Sequence, residues 1–477
     1  IQLSRWQDIA TTVIPKIPGD NRIEKQRMIQ IPASDANLCF GLLWGRKLLH
    51  HALDHDALND EQWGTRPSRS AIDVVLMKHL TYTMHHLSHT GGGSFDNDAK
   101  SCYDRIIISL SNLRSAQLGL PASACKLLES FLSRAHYRLR TAHGLSHEHY
   151  CTADGPYLHG PGQGSREGPC LWLLVSTLAM EAMPHGCNPL SFTDPATRRR
   201  SSRHMDGYVD DTTTWYNNFD RALVHGDDPQ ALTTGLQRSA QWWECLLSVT
   251  GGALELPKCF YYLLTFSFTK EGKPYLLSPE RMPTSPIIIR DHTTGESSHI
   301  THKPFSVAHR TLGVMQSPDL KPDGEFQRLR DKIPNAAKRL LPTRLTAQET
   351  LTYISCIHRP SVTWSAPVSN LSKQAWKTLQ APILPIFLNN LGFPSSFPRA
   401  VVYGPTSLGG LGLVNGYTEQ GVAHICHMLH HLRTNTAVGN LLQITFLLSQ
   451  RYAGYGASVL HQPHLPFVPV SQRSMSG

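Results

Sequence analysis

The sequence predicts an α+β fold: a split βαββαβ core, then a basic helical stretch and a further helical region. Three observations predict it. "FDNDAKSCYDRI" (Phe95–Ile106) reads as an acidic strand end followed by helical spacing. "GYVDDTTTW" (Gly207–Trp215) reads as a hairpin, because β-branched and aromatic residues flank two aspartates. A helical pattern and then "GGALELPKCFYYLLTF" (Gly251–Phe266), a turn and a strand, complete the order. In that topology the first strand and the hairpin are neighbours, so their acidic residues can converge.

At 477 residues the chain is too long for one compact core, and two to four subdomains are expected. A formal charge of +9, with 17% of residues charged, suits a phosphate-rich partner but also many ordinary proteins. The ten cysteines form no CxxC pair, which argues against a zinc ribbon or knuckle. Scattered thiols in a long chain read as intracellular, in nucleus or cytoplasm. The apolar run Cys170–Met180 is too short to span a bilayer, so no membrane partner is expected. No signal peptide is visible, and the start at Ile1 suits an excerpt of a longer polypeptide.

Taken in order, the first ninety residues mix short apolar runs with basic punctuation, and "TGGGS" (Thr90–Ser94) reads as a glycine hinge. After the acidic strand end comes a helix, then a second one following Pro121 with Cys125, Leu128, Phe131 and Leu132 at helical spacing. A glycine-rich loop, Gly160–Pro169, opens an apolar helix around Leu173, Leu174 and Leu178. A helix over roughly 229–247 carries Leu232, Leu236, Ala240 and Trp243 on one side. Beyond Pro304 the chain is helical and basic, with Arg328, Arg330, Lys332, Lys338, Arg339 and Arg344. "GPTSLGGLGL" (Gly404–Leu413) separates this from a final helical region, and the Pro- and Ser-rich tail from Pro463 is expected to fray.

Adjacent carboxylates repel, so Asp210 and Asp211 are either a solvated turn or part of a metal site. Strand alternation puts Asp96 and Asp98 on one side. If Asp98 reaches the hairpin, the site holds hard oxygen ligands without imidazole or thiolate, which suits Mg²⁺, or Mn²⁺ in its place. Two such ions about 3.5–4 Å apart would activate a 3′-hydroxyl and stabilise departing pyrophosphate. Taken singly, each aspartate reads as a turn residue or an exposed charge.

The order and spacing of five segments resemble reverse transcriptases. "DAKSCYD" (Asp98–Asp104) is similar to the motif with an acid, an aromatic and a second Asp; Tyr103 sets the register, making Asp98 the ligand. Asp96 is left as an extra acid without a role. "QGSREGP" (Gln163–Pro169) resembles the family's QGxxxSP loop, with Gly168 at the usual Ser. "YVDD" (Tyr208–Asp211) is its most recognisable tetrapeptide. "GGALELPK" resembles the segment ending in a lysine, here Lys258, and "LGV" (Leu312–Val314) resembles the primer-grip turn. "IPKIPGDNRIEKQRMIQI" (Ile14–Ile31) and "QWGTRPSRSAIDVVL" (Gln62–Leu76) look like fingers segments of non-LTR retrotransposon enzymes. The resemblance runs from about Thr12 to Val314.

The resemblance implies a right-hand polymerase: fingers in 1–93, palm in 94–303, primer grip and helical thumb in 304–395, and a C-terminal helical extension in 396–477. It implies an RNA-directed DNA polymerase that extends a DNA or RNA primer with dNTPs along an RNA template. Asp98 and Asp210 would bridge two Mg²⁺ ions, with the Ala99 carbonyl completing one shell and Asp211 as the further carboxylate. Lys258 would protonate the leaving pyrophosphate. Tyr103 would exclude a 2′-hydroxyl, and Gln163 would meet the incoming nucleotide. Gly162 and Gly164 would admit close approach of the nascent pair, Arg27 and Lys16 would hold the triphosphate, and Leu312 and Gly313 would grip the primer. Thumb basic residues would contact duplex phosphates.

An RNA-dependent RNA polymerase is the alternative of the same class, disfavoured by Val209 and Tyr103. A catalytically silent RNA-binding scaffold is the alternative of another class, disfavoured by the intact Asp98, Asp210 and Asp211. No endonuclease or RNase H constellation stands out. In "HICHMLHH" (His424–His431), His427 and His431 have the i, i+4 spacing of helical zinc ligands, but the HExxH acid is missing, so the segment reads as a solvated helix face.

Overall fold

A computed structural model of the chain describes residues 3–20, 22, 25–151, 160–282, 285–434 and 436–455. The tail from Pro463 lies outside those residues. The fold is mixed α+β, with a helical C-terminal part.

Strands β1 (Asp8–Pro15) and β2 (Gln26–Ile31) pair antiparallel near the N-terminus. Helix α1 (Ala71–Ser88) opens with a capping box between Ser70 and Asp73. Strand β3 (Gly92–Asp98) follows at once. The "TGGGS" stretch is therefore no hinge, and that expectation is corrected. A Cβ on Gly92 would sit 2.3 Å from the His85 ring, and one on Gly93 would sit 2.7 Å from the Leu236 side chain. Here glycine admits close packing against helices on both faces of the strand.

Helices α2 (Ile108–Gln117) and α3 (Ala122–Ser133) come next, and α3 buries Cys125, Leu128, Phe131 and Leu132 as its spacing predicts. Strand β4 (His136–Thr141) then pairs parallel with β1. Helix α4 (Gly168–Ala182) is buried almost all round, as its near-continuous apolar run requires. The hairpin β5 (Met205–Tyr208) and β6 (Asp211–Asn217) leads into α5 (Pro229–Val249) and β7 (Phe260–Leu264). Asp228 caps α5 by accepting from the Ala231 N–H at 3.1 Å. Leu232, Leu236, Ala240, Trp243 and Leu247 form its buried stripe.

With a short strand β8 (Thr301–His302) at one edge, the central sheet runs β8-β7-β3-β6-β5. Its first strand in sequence, β3, lies between β7 and the second arm of the hairpin, and both of these pairings and the hairpin itself are antiparallel. That is the strand order of a split βαββαβ unit. A second hairpin, β9 (His309–Thr311) and β10 (Val314–Gln316), precedes α6 (Asp323–Leu340). The chain closes with α7 (Gly416–Arg433) and α8 (Ala437–Tyr452).

Three apolar clusters organise this frame. One joins Phe95 to Leu174, Leu236 and Trp243 beneath the sheet. A second joins Val75 and Met84 of α1 to Trp215 and to Val438, Leu441 and Ile444 of α8. A third is confined to the C-terminal helices, around Leu329, Trp376 and Leu388. Each large side chain so buried contributes about 1.5–3 kcal/mol. Among the described residues no helix is long and apolar enough to cross a membrane.

Candidate active site

The acidic residues of β3 and the hairpin do converge. In the antiparallel ladder Asp98 stands directly opposite Asp211, and Asp96 opposite Thr213. Directly opposed residues share a face, with Cβ atoms about 4.5–5.5 Å apart. Asp210 occupies the two-residue turn, its carbonyl accepting the Ala99 N–H at 3.1 Å. Two like charges face each other here, and the Lys258 ammonium ion-pairs with Asp98 to offset them.

Electrostatics follow from that crowding. Burial and the nearby Asp98 charge raise the Asp210 pKa, although Lys258 and Arg27 pull it down. Asp211 is pushed up to about 6 by desolvation and by Asp210 and Asp98. Its side chain stays open to solvent, which screens part of the effect. For Lys258, partial burial is outweighed by the bond to Asp98, and its pKa rises.

Asp96, left without a role by the sequence, is the counterion of a buried lysine. Lys78 on α1 is 2% exposed and ion-pairs with it, while the Thr213 hydroxyl donates to the same carboxylate oxygen at 2.9 Å. The acid at this position is thus structural, and Asp98, two residues on, is the more exposed of the two.

Sequence reading missed what holds the "YVDD" turn. Val209 has φ of 61°, a left-handed value that is an outlier for a β-branched residue. The Gln62 amide clamps it on both sides, accepting the Val209 N–H at 3.1 Å and donating to its carbonyl at 3.3 Å. The Trp172 indole donates to that carbonyl at 2.6 Å. Gly64 is required beside it, since a Cβ there would lie 2.5 Å from the Val209 nitrogen. The only hint in the sequence was the "QWG" motif, read as a fingers segment without a contact. Behind the hairpin, buried Asp206 takes two bonds from the Arg203 Nε, at 2.9 and 3.0 Å, and one from the Trp215 indole at 2.7 Å.

The glycine loop is tethered from two sides. The Gln163 carbonyl accepts the Gln30 N–H at 2.7 Å, and its own N–H donates to the Asp104 carboxylate, whose pKa burial raises. Gly162 and Gly164 have φ of 78° and 113°, and a Cβ on either would strike Gln30 within 2.3 Å. In the free chain the close backbone approach of both glycines is to β2. Gly168, which replaces the usual Ser, has Ser165 Oγ and the Tyr103 ring at 2.9 and 3.4 Å from its virtual Cβ. A Cβ there would press on the Ser165 hydroxyl and stand at about contact distance from the Tyr103 ring. Tyr103 itself is half-buried against the core, and burial raises its pKa.

Arg27, exposed on β2, lies close enough to Asp210 to depress its pKa. Lys16, just past β1, is exposed. Leu312 and Gly313 form the β9–β10 turn, both with positive φ (46° and 93°), the backbone pattern of a type I′ hairpin. The Trp364 indole donates to the Leu312 carbonyl at 3.1 Å and so ties this turn to the C-terminal helices.

The donors present are hard carboxylate oxygens, which fit Mg²⁺ or Mn²⁺ by chemistry. They do not close on one point. Among the described residues, the one group of three His, Cys, Asp or Glu side chains whose donor atoms all lie within 4.8 Å of one another is Asp73, His427 and His431. That finding also corrects the solvated-face reading of "HICHMLHH" on one side of the helix: His431 is 1% exposed, and the His424 Nε2 donates to the Ser369 carbonyl at 2.9 Å, while Ile425, Cys426, Leu429 and His430 stay exposed. Since a carbonyl only accepts, the His424 Nε2 is the protonated nitrogen.

No model of a protein family matches the sequence, and no curated protein matches it. Solved structures that resemble the fold include telomerases. Telomerase from Candida albicans, in complex with a TWJ fragment of telomeric RNA, is 11% identical over 94% of this chain and 62% of its own, with a TM-score of 0.41. Telomerase from Candida tropicalis, with a TWJ fragment of telomeric RNA, is 13% identical over 99% and 64%, with a TM-score of 0.37. The chain thus spans less than two thirds of their length. At these scores the likeness establishes neither a shared family nor a shared activity.

Proposed function

We propose that the chain is a reverse transcriptase of a retroelement, most like the non-LTR type, that copies an RNA template by adding dNTPs to a primer 3′-OH. The observation that carries this reading is the register that sets Asp98 against Asp211 with Asp210 in the intervening turn, at the positions the reverse-transcriptase motifs assign to metal ligands. When bound by these carboxylates, Mg²⁺ would lower the pKa of the primer hydroxyl and stabilise charge on the leaving pyrophosphate.

The chain's own residues supply the rest. Lys258, ion-paired with Asp98, would be the proton donor to the departing pyrophosphate. Arg27 reaches the triphosphate from β2. Tyr103, packed against the core, stands under the sugar and rejects a 2′-hydroxyl. Gln163, with both backbone groups tied, sets the position of the templated pair, and the Leu312–Gly313 turn holds the primer end. Residues 1–93 act as fingers, 94–303 as palm, 304–395 as primer grip and thumb, and 396–477 as an extension.

The test is primer extension on an RNA template with Mg²⁺, with dNTPs and rNTPs compared side by side. Extension is expected with dNTPs and is lost on chelation. Asp210→Asn should lower it by about 100- to 1,000-fold or more, with RNA affinity within about twofold of the parent. Undiminished extension by Asp210→Asn overturns the mechanism, and a preference for rNTPs points to an RNA polymerase instead.

A further inference from the structure

We propose that Asp73, His427 and His431 form a zinc-type site that fastens α7 to the start of α1. The three donor atoms lie within 4.8 Å of one another, from segments 358 positions apart in the chain for the Asp73–His431 pair. His427 and His431 share one face of α7 at i, i+4 spacing.

One carboxylate oxygen faces both imidazoles. Asp73 Oδ2 is committed to the Ser70 N–H at 2.7 Å, as the capping box requires. Oδ1 lies 3.2 Å from His431 Nε2 and 4.0 Å from His427 Nδ1. The second distance is too long for a hydrogen bond, so His427 approaches the carboxylate without bonding it. Ligands about 2.0–2.2 Å from a tetrahedral zinc ion stand roughly 3.3–3.5 Å apart, so both separations need only small side-chain adjustments.

The surroundings suit a ligand set. His431 is oriented by Thr436 Oγ1, 2.9 Å from its Nδ1, and that hydroxyl is itself fixed by accepting the Gly439 N–H at 3.0 Å. Such support of the far ring nitrogen is the usual partner of a metal-bound imidazole. Asp73 and His431 are buried, whereas His427 is partly open and leaves room for a water as fourth ligand. Two imidazoles with one carboxylate favour zinc or a neighbouring first-row ion over Mg²⁺. Its role would be to clip the C-terminal helical pair onto the helix that follows the Gln62–Gly64 segment.

The test uses untagged full chain, dialysed against chelator and titrated with Co²⁺ while visible d–d absorption is followed. One saturable equivalent, displaced by Zn²⁺, is expected. His427→Ala should weaken it at least tenfold, and Asp210→Asn, which disables the separate carboxylate cluster, should leave it unchanged. Zn²⁺ should also raise the Tm of the parent but not of His427→Ala, whose metal-free Tm reports whether it folds. Absence of a saturable Co²⁺ band in the parent overturns the proposal without any variant. Equal affinity in His427→Ala overturns it too and leaves Asp73–His431 as a plain hydrogen bond.

Discussion

Val209 holds a backbone conformation that costs about 1–3 kcal/mol for a residue of its shape. Positive φ at the first residue of a two-residue hairpin loop is a place where glycine is the ordinary occupant. The strain persists because the Gln62 amide and the Trp172 indole together fix both backbone groups of Val209. It also aims the flanking aspartates, since Asp210 and Asp211 follow directly. Gln62→Ala should therefore cost about 1–3 kcal/mol in urea unfolding, the scale of a buried polar group left without its partner. Adding Val209→Gly should recover part of that loss, because glycine adopts the conformation unaided. Strictly additive effects across the double-mutant cycle would show that the clamp and the strain are unrelated.

At the scale of elements, α4 begins at a buried acid. Glu167, its N-cap residue, is 1% exposed, and burial pushes its carboxyl up to about 7. The unfolded value is about 4.3, so the folded state disfavours the charged form. Stability should accordingly fall as pH climbs from about 4.3 toward 7. Glu167→Gln is expected to flatten that decline, seen as a smaller Tm difference between about pH 5 and pH 7.5. An unchanged slope would assign it to other groups. The stripes of α3 and α5 and the hairpin were legible because periodicity reports burial directly. "TGGGS" was not, since the same glycines serve a hinge or a close approach, and only the His85 ring and Leu236 decide between them. Gln62 was equally silent: its bonds go to a backbone 147 positions away, and such a contact leaves no local pattern. The convergence of Asp98 with the hairpin aspartates was legible through the strand order, whereas the opposition to Asp211 in particular and the pairing of Asp96 with Lys78 needed the register and the packing of α1.

Over the whole molecule, charge is distributed less freely than its count suggests. Arg328 on α6 is bonded to buried Glu325, and the Lys332 ammonium donates to the Ser361 carbonyl at 2.9 Å. Arg330, Lys338 and Arg339 remain exposed on the same helix. Lys338→Ala should weaken RNA–DNA duplex binding evenly across sequences and reduce the salt slope by about one. Arg328→Ala should instead lower Tm, with little change in that slope. Equal salt slopes for Lys338→Ala and the parent would place the duplex elsewhere. Sequence alone could not separate these cations, because each looks alike until its neighbours are known.

The packing of α8 on α1 also has a consequence for synthesis. Val438, Leu441 and Ile444 cover apolar residues of α1 that leave the ribosome about 350 positions earlier. At about 5–20 residues per second, that face waits roughly 20–70 s for its cover. During that interval the nascent chain presents an oily helix beside the strand that carries Asp98, so a chaperone has a defined surface to guard.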